Sequence, residues 1–419
     1  MNPEQTQAIA TLVESWLALR SFDDAPAVNL EDIAVLRAEV LRPGRPGLLD
    51  VVAEVNGRTA HLIVGLRRVG DEPRFLRPGD EAALGLLEDE DGLAVCVDAL
   101  RDAELAPLVL ATIRGVEPRP GPIAYLRDDD KVTMLDCGDR GDLIVFPWLR
   151  DEPRPAVDLL MALDANGFNH IAAPLVRWTW QRRDLGVVQE AMTGRAVGWA
   201  LALTSLRDLY ASGGRPESAG GDFAPEAHAL GTMTARMHLA LDAAFDRTPD
   251  SVTAWVDAAE TTIRAADPAL LEAPGVADLI KELRDADLHL PIIRTHGDLH
   301  LGRVSRTDHG WVVSDCRPGG VVPGDTQPSP RTPLGDVADL LWSVHQASTV
   351  AASERDPAGR LGLDALGRAW EARNRRAVLT GYLSTPGIGG LAGPDRDVVR
   401  SLVALLELAR SVRANPIAP

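Results

Sequence analysis

The sequence predicts an α+β fold on three observations. Strand-like apolar runs lie early in the chain, at residues 48–55 and 61–66. Beyond about residue 191, apolar residues recur instead at three- and four-residue steps, the period of an amphipathic helix. Between helical stretches sits a polar loop, Thr295-His296-Gly297-Asp298-Leu299-His300-Leu301-Gly302, with Val312-Val313-Ser314-Asp315 soon after it. Apolar runs flank both pieces, which places two aspartates where a loop leaves buried strands.

In chain order, residues 4–19 read as a helix ahead of the two early strands. Residues 105–114 read as a short helix, with Pro107 tolerated in its first turn. The run Glu117-Pro118-Arg119-Pro120-Gly121-Pro122 reads as a turn or linker. Strands follow at 132–137, 143–146 and 185–189, with a helix at 156–165. In residues 227–245, Leu230, Met233, Met237 and Leu241 mark one buried helical face, and such a methionine stripe belongs to a core. Later helices are predicted at 251–266, 336–347, 364–383 and 397–413. Five prolines between residues 318 and 333 break regular structure there. Three segments result: 1–116, 117–190 and 191–419.

Composition narrows the classes. The 419 residues suffice for two or three domains, and a hydrophobic fraction of 45% argues against disorder. A net charge of −18 disfavours nucleic acid and anionic membranes as partners. Long-range attraction on such a surface favours a cationic solute such as an amino sugar, although the pocket itself decides. Cys96, Cys137 and Cys316 show neither zinc spacing nor a disulfide framework, which predicts reduced thiols. The first nineteen residues lack the pattern of a secretory signal, and no apolar run is long enough for a membrane span, so a cytoplasmic protein is predicted. There is no nucleophile elbow, no dinucleotide fingerprint and no zinc-binding His–Glu helix, which sets aside hydrolases and dehydrogenases.

The loop around Asp298 suits phosphoryl transfer. That reaction needs a hydroxyl set in line with a γ-phosphate, and charge neutralised around it. Asp298 would orient or deprotonate the hydroxyl, Asp315 would bind magnesium through oxygen, and His296 would brace the loop from beneath. A plain hairpin turn containing His and Asp remains the alternative for these residues taken alone. His296 and His300 could also join Asp298 on a metal, although loop histidines more often brace backbone.

Four stretches carry a family resemblance. They are Gly198-Trp199-Ala200-Leu201-Ala202-Leu203-Thr204-Ser205-Leu206-Arg207-Asp208-Leu209, Leu230-Gly231-Thr232-Met233-Thr234-Ala235-Arg236-Met237-His238-Leu239-Ala240-Leu241, His300-Leu301-Gly302 and Pro333-Leu334-Gly335-Asp336-Val337-Ala338-Asp339-Leu340-Leu341. In this order they resemble the actinobacterial maltokinase and glucosamine kinase family. The resemblance implies a bilobal protein-kinase-like fold of the aminoglycoside phosphotransferase type. It also implies an N-terminal α/β cap domain (residues 1–116), a nucleotide-binding lobe (117–190) and a mainly helical C-terminal lobe (191–419). Its cofactors would be ATP and magnesium, and its partner a small sugar or amino sugar, with a second sugar-metabolism enzyme possible as a further partner.

Residue by residue, the resemblance makes Asp298 and His296 catalytic and Asp315 the metal ligand. Gln189, Glu190 and Met192 would pass between the lobes beside adenine. His300 and Arg317 would stand at the acceptor, and Trp370 or Tyr382 could stack on a sugar face or pack in the core, where Asn374 keeps them company.

Departures from the pattern are equally specific. The family's phosphate-binding lysine is missing from Asp142-Leu143-Ile144-Val145-Phe146-Pro147-Trp148-Leu149-Arg150; Phe146 takes its place, and Arg150 reaches inward only with a shifted register. The turn that should cover the phosphates, Arg127-Asp128-Asp129-Asp130-Lys131, carries three carboxylates. Arg303 replaces a metal-binding amide, and either contacts phosphate or ion-pairs with Asp298 or Asp315. Cys316-Arg317-Pro318-Gly319-Gly320 replaces an acidic segment, and Arg410 and Ser411 fall where the family has tyrosine and glutamate near the sugar. The expectation is a sugar phosphotransferase scaffold with impaired catalysis. A fully active kinase with arginines substituting, and a pseudokinase acting as a binding or regulatory partner, are the alternatives.

Overall fold

In a computed structural model of the chain, the described residues are 3–20, 30–71, 74–77, 83–119, 121–129, 131–192, 194–217, 221–314, 331–354 and 357–413. They divide into two units, residues 1–157 with 173–193, and residues 158–172 with 194–419. The expected boundary at residue 116 therefore lies inside the first unit, and residues 158–172 of the expected second segment belong to the second unit.

The first unit opens with helix α1 (Pro3–Arg20), strands β1 (Ile33–Arg42), β2 (Gly47–Val55), β3 (Arg58–Arg68), β4 (Ala83–Asp89) and β5 (Gly92–Asp98), and helix α2 (Leu105–Arg114). Then come β6 (Ala124–Asp128), β7 (Thr133–Asp136), β8 (Asp142–Val145) and β9 (Trp148–Leu149), helix α3 (Pro155–Ala165), of which the residues from 158 on belong to the second unit, and β10 (Pro174–Trp180) and β11 (Arg183–Gln189). One antiparallel sheet runs β1-β2-β3-β5-β4 with β9 joined to β3, and a second runs β10-β11-β8-β7-β6.

Alternation along β2 and β3 feeds two different cores. Leu49, Val51, Leu62 and Val64 pack against Trp16 and its neighbours on α1. Leu48 and Ile63 join Leu105, Val109 and Leu110 of α2, together with Leu135, Leu143 and Val188 of the second sheet. Both faces are thus covered, which is why β2 is buried almost throughout. Gly65 makes the contact with α2 possible, because a Cβ there would lie 2.2 Å from Leu105 Cδ1.

The strand expected at 143–146 is β8, and it stops well short of Arg150. Pro147 has no N–H to give a ladder, so β8 ends at Val145 and β9 crosses to the other sheet, pairing Trp148 with Ala60. The Pro147 carbonyl instead accepts from His61 N at 2.9 Å. Phe146 is buried, with the Arg154 guanidinium 4.0 Å from its ring centroid. The acidic turn after β6 is spoken for: Asp128 pairs with Arg20 at 3.2 Å and Arg101 at 3.7 Å. Asp129 pairs with Arg127 and accepts from Lys131 N and Val132 N, each at 2.9 Å. Asp130 lies outside the described residues.

The second unit holds β12 (Ala196–Val197), α4 (Gly198–Ser212), α5 (Ala224–Ala244), β13 (Thr248–Ser251), α6 (Val252–Ala266), α7 (Val276–Asp285), β14 (His289–Ile292), β15 (Val304–Thr307) and β16 (Gly310–Val313). It ends with α8 (Leu334–Ser353), α9 (Pro357–Leu383), α10 (Gly389–Ala392) and α11 (Arg396–Val412). Strands β12, β15 and β16 form one small sheet, and β13 pairs with β14. Helices α5 and α9 touch backbone to backbone: a Cβ on Gly231 would stand 2.0 Å from the Val378 carbonyl, and one on Gly381 2.0 Å from the His228 carbonyl. No described helix is long and apolar enough to cross a membrane. Cys96 and Cys137 are buried, and burial pushes each thiol up to about 12.

Candidate active site

The loop between β14 and β15 is built around a carboxylate that the sequence reading had not singled out. Asp336, in the first turn of α8, is fully buried and accepts from His296 N at 2.9 Å and Gly297 N at 2.8 Å. Gly297 supplies the positive φ of +93° that aims its amide there. Arg331 Nη2 donates to the same carboxylate at 3.1 Å, and His238 Nε2 at 3.2 Å. Since His238 Nε2 donates, its Nδ1 accepts, and it takes the Tyr382 hydroxyl at 2.9 Å. Burial alone would raise the Asp336 carboxyl, but the His238 hydrogen bond and the Arg331 charge outweigh it and hold it well below the usual range. Further along, Leu301 N donates to Ser343 Oγ of α8 at 3.1 Å.

This bracing sets where Asp298 stands. His296 is buried, and its Nδ1 accepts from Asp298 N at 3.3 Å. His300 Nδ1 accepts from Gly302 N at 3.1 Å, and its Nε2 lies 3.5 Å from Asp298 Oδ2 and 3.3 Å from Arg303 Nε, which donates toward it. Arg303 Nη2 donates to that same oxygen at 3.1 Å. Arg410 Nη2 of α11 lies 3.6 Å from the other oxygen, Oδ1. Burial pushes the Asp298 carboxyl up, yet His300 and then Arg303 and Arg410 together bring it below its ordinary value, so it stays ionised.

Arg410 also links to a second acid. Its Nε is 3.2 Å from Asp339 Oδ1, while Arg331 Nη2 is 3.6 Å from Asp339 Oδ2. Burial dominates at Asp339 and, with help from the Asp336 charge, lifts it to about 7 against the two guanidinium groups. Asp336, Asp339 and His238 do carry a signal in the sequence: charged residues on otherwise apolar helix faces need buried partners.

The other predicted site residues fare differently. Arg303 makes the ion pair with Asp298, one of its two expected alternatives. His296 is enclosed and contacts its own loop, so it braces and does not reach a substrate. Trp370 and Tyr382 are corrected: they are 1% and 0% exposed and present no face to a sugar. Trp370 Nε1 donates to Ser205 Oγ at 3.0 Å and its ring stacks on Phe223, while Asn374 Nδ2 donates to the Trp370 carbonyl at 2.8 Å. Gln189 ends β11 almost buried, Glu190 is exposed and Met192 half-buried. Glu190 N already donates to the Ala173 carbonyl at 2.8 Å, which removes that donor from any adenine contact. Arg150 follows β9, half-buried.

Asp315 and Arg317 lie outside the described residues, and so do Cys316 and the rest of its segment. Up to its edge, Ser314 N donates to the Arg303 carbonyl at 2.9 Å, so β16 returns to the end of the loop. Among the described residues no group of three or more His, Cys, Asp or Glu side chains is placed to hold a metal ion. Arg303 carries donors only, so its side chain offers no metal ligand.

No protein-family model matches the chain. It is 30% identical over 377 residues to a glucosamine kinase of Streptacidiphilus jiangxiensis, covering 83% of this chain and 82% of that protein. It is 28% identical over 249 residues to the glucosamine kinase of Mycolicibacterium smegmatis, covering 54% of this chain and 61% of that one. Two solved glucosamine kinase structures share the fold. One, in complex with glucosamine, ADP and inorganic phosphate, has a TM-score of 0.62 at 23% identity over 94% of this chain and 91% of its own. The other, a crystal form A, has 0.66 at 23% over 99% and 94%. The expected α+β, kinase-like architecture with a helical C-terminal part is therefore found, and the chain belongs to the glucosamine kinase family.

Proposed function

We propose that the protein transfers the γ-phosphoryl group of ATP to a hydroxyl of a small sugar, slowly, with Asp298 receiving the hydroxyl's proton. One observation carries this reading: Asp298 is held ionised on a loop whose backbone is pinned from beneath by Asp336. A base in this reaction must be unprotonated and fixed in place, and both conditions follow from that arrangement. Membership of the glucosamine kinase family supports the reaction class, and the related structure with glucosamine and ADP supports the pair of substrates.

Slowness follows from the same site. Both Asp298 oxygens face guanidinium groups, which must yield before a hydroxyl can be received. A positioned base contributes roughly 10²- to 10⁴-fold, so holding it in ion pairs costs a substantial part of that. The missing lysine in residues 142–150 removes a further phosphate contact. Contacts to the nucleotide are assigned to Gln189, Met192, the Glu190 carbonyl and Arg150. Magnesium enters only as the ion that accompanies ATP, and no step is assigned to it.

The clasp on Asp298 also favours a second reading, a pseudokinase that binds nucleotide or sugar without turnover, as a partner in sugar metabolism. ADP release separates the two. With ATP and a sugar acceptor, the first reading expects slow release that falls about 10²-fold or more in Asp298→Asn, with an unchanged melting midpoint. Release equal in the two proteins, alongside a midpoint raised by MgATP, would establish the binding protein instead.

A further inference from the structure

We propose that a pocket in the second unit, between the last turns of α9 and the first turns of α11, binds a phosphorylated sugar through Arg376, Arg396 and Arg400. The site lies outside the catalytic loop and stands on the pocket alone, whichever reading of the reaction holds.

Spacing along two helices builds it. Arg376, Leu379, Thr380 and Leu383 follow one another at three- and four-residue steps and share one face of α9. Arg396 and Arg400 stand one turn apart at the start of α11. Together these side chains line a pocket of about 450 Å³, within the range of roughly 300–1,000 Å³ that small-molecule sites occupy. Its lining is half arginine and holds no acid. In a chain where acidic side chains outnumber lysine and arginine by 61 to 43, this runs against the composition.

Neighbouring arginines are spent on carboxylates, and those of the pocket are not. Along Arg373-Asn374-Arg375-Arg376, Arg373 Nη2 meets Asp222 at 2.7 Å and Arg375 Nη2 meets Glu407 at 2.6 Å. Arg376 is exposed, and its guanidinium has no hydrogen bond or ion pair among the described residues. Arg396 is likewise exposed and unpaired among them. Arg400 Nη1 meets Asp397 at 2.8 Å, but both side chains are more than half exposed, so water screens the pair and a ligand displaces it at little cost. The end of α11 adds nothing, because Asp395 caps it, accepting from Asp397 N at 2.9 Å and Val398 N at 3.3 Å. Recognition falls to the guanidinium groups.

A sugar phosphate matches the rest of the lining. Its phosphate offers oxygens to several guanidinium forks at once. Thr380 Oγ1 spends its proton on the Arg376 carbonyl at 2.7 Å and is left to accept, which a sugar hydroxyl satisfies. Leu379 and Leu383, both half-buried, give the ring an apolar floor. A phosphorylated sugar is also the class of product that the proposed reaction releases. Arg396 and Arg410 lie roughly 20 Å apart along α11, at about 1.5 Å of rise per residue, so a molecule held here leaves the loop around Asp298 unoccupied.

The test is equilibrium binding to the full chain without nucleotide, using D-glucose 6-phosphate, D-glucose and inorganic phosphate as probes. The ester is expected to bind at least about tenfold more tightly than either other probe, and more weakly as salt rises. Arg376→Gln and Arg396→Gln are each expected to weaken it about fivefold or more with an unchanged melting midpoint, and Arg396→Lys to weaken it less, since the charge stays and the fork is lost. Arg400→Gln repeats the test should either Gln variant fail to fold. Asp298→Asn is expected to leave the affinity in place. An ester affinity indifferent to the arginine variants, an affinity lost in Asp298→Asn, equal binding of inorganic phosphate, or no binding by the ester would overturn the proposal. Absence of ADP release with every sugar acceptor, by contrast, removes the phosphotransfer reading and leaves this pocket standing.

Discussion

Asp339 is the side chain in the site whose charge depends most on pH. Burial lifts its carboxyl to about 7, far above the ordinary carboxylate range, so the folded protein holds a proton there that the unfolded chain has lost. A raised pKa contributes stability that is fully present at acid pH and is lost as pH rises toward 7. Asp336 has the opposite sign: its carboxyl is lowered, and its contribution is present at neutral pH and lost only in strong acid. The expectation is that Asp339→Asn, compared with the unaltered protein in urea melts, gains on the order of 2 kcal/mol between pH 5 and pH 8. A difference that does not change with pH would show that Arg331 and Arg410 keep Asp339 ionised throughout. Legibility at this scale followed distance along the chain. Asp298, His296, His300 and Arg303 share one loop, and their association can be read from adjacency. Arg410, Asp336 and Asp339 arrive on α11 and α8 through tertiary packing, which the local spacing of charges does not encode. The same limit leaves Trp370 and Tyr382 between two readings in the sequence, since an aromatic looks alike in a core and on a sugar platform until its burial is known.

Among the elements, α8 and the α5–α9 pair decide whether the loop keeps its form. Asp336 ties the loop's backbone to the first turn of α8, and no side chain but a carboxylate can accept from two amides, a guanidinium and an imidazole at once. Asp336→Asn turns an amide donor toward at least one of these donors and leaves Arg331 without full compensation. The expected loss is about 3–5 kcal/mol of stability, seen in urea unfolding, together with loss of sugar-dependent ADP release. Helices α5 and α9 meet through Gly231 and Gly381, and this contact carries His238 to Tyr382. Gly231→Ala places a methyl group against the Val378 carbonyl and forces the helices apart, at a cost of about 1–3 kcal/mol. Adding Gly381→Ala should cost less than the first change did, because the gap is already open; a fully additive second loss would mean the two contacts yield separately. The helices themselves were legible because apolar residues at steps of three and four persist over many turns, as in α5. Strand β10 was missed: its Pro174-Leu175-Val176-Arg177-Trp178-Thr179-Trp180 lies half-buried, without a regular alternation of burial along it.

For the whole molecule, the division of labour between segments differs from the division of the sequence. The proline-rich run at residues 117–122 looks like a boundary, yet α2 before it is buried against Leu135, Leu143 and Val188 after it. Arg20 of α1 reaches across the same boundary to Asp128 at 3.2 Å and to Thr133 Oγ1 at 3.0 Å, and His61 of β3 donates its backbone N–H to Pro147. Strand β9 even completes the first sheet from beyond the run. A fragment of residues 1–116 would therefore lose Leu135, Leu143 and Val188 from the core that α2 shares with Leu48, Ile63 and Val97, and expose apolar surface there. We expect that fragment to bind hydrophobic dyes and to lack a cooperative melt, whereas a fragment of residues 1–193 should melt cooperatively, since it retains both sheets. A cooperative transition from residues 1–116 alone would mean that α1 and its core suffice, and that the second sheet is an addition to a domain already complete.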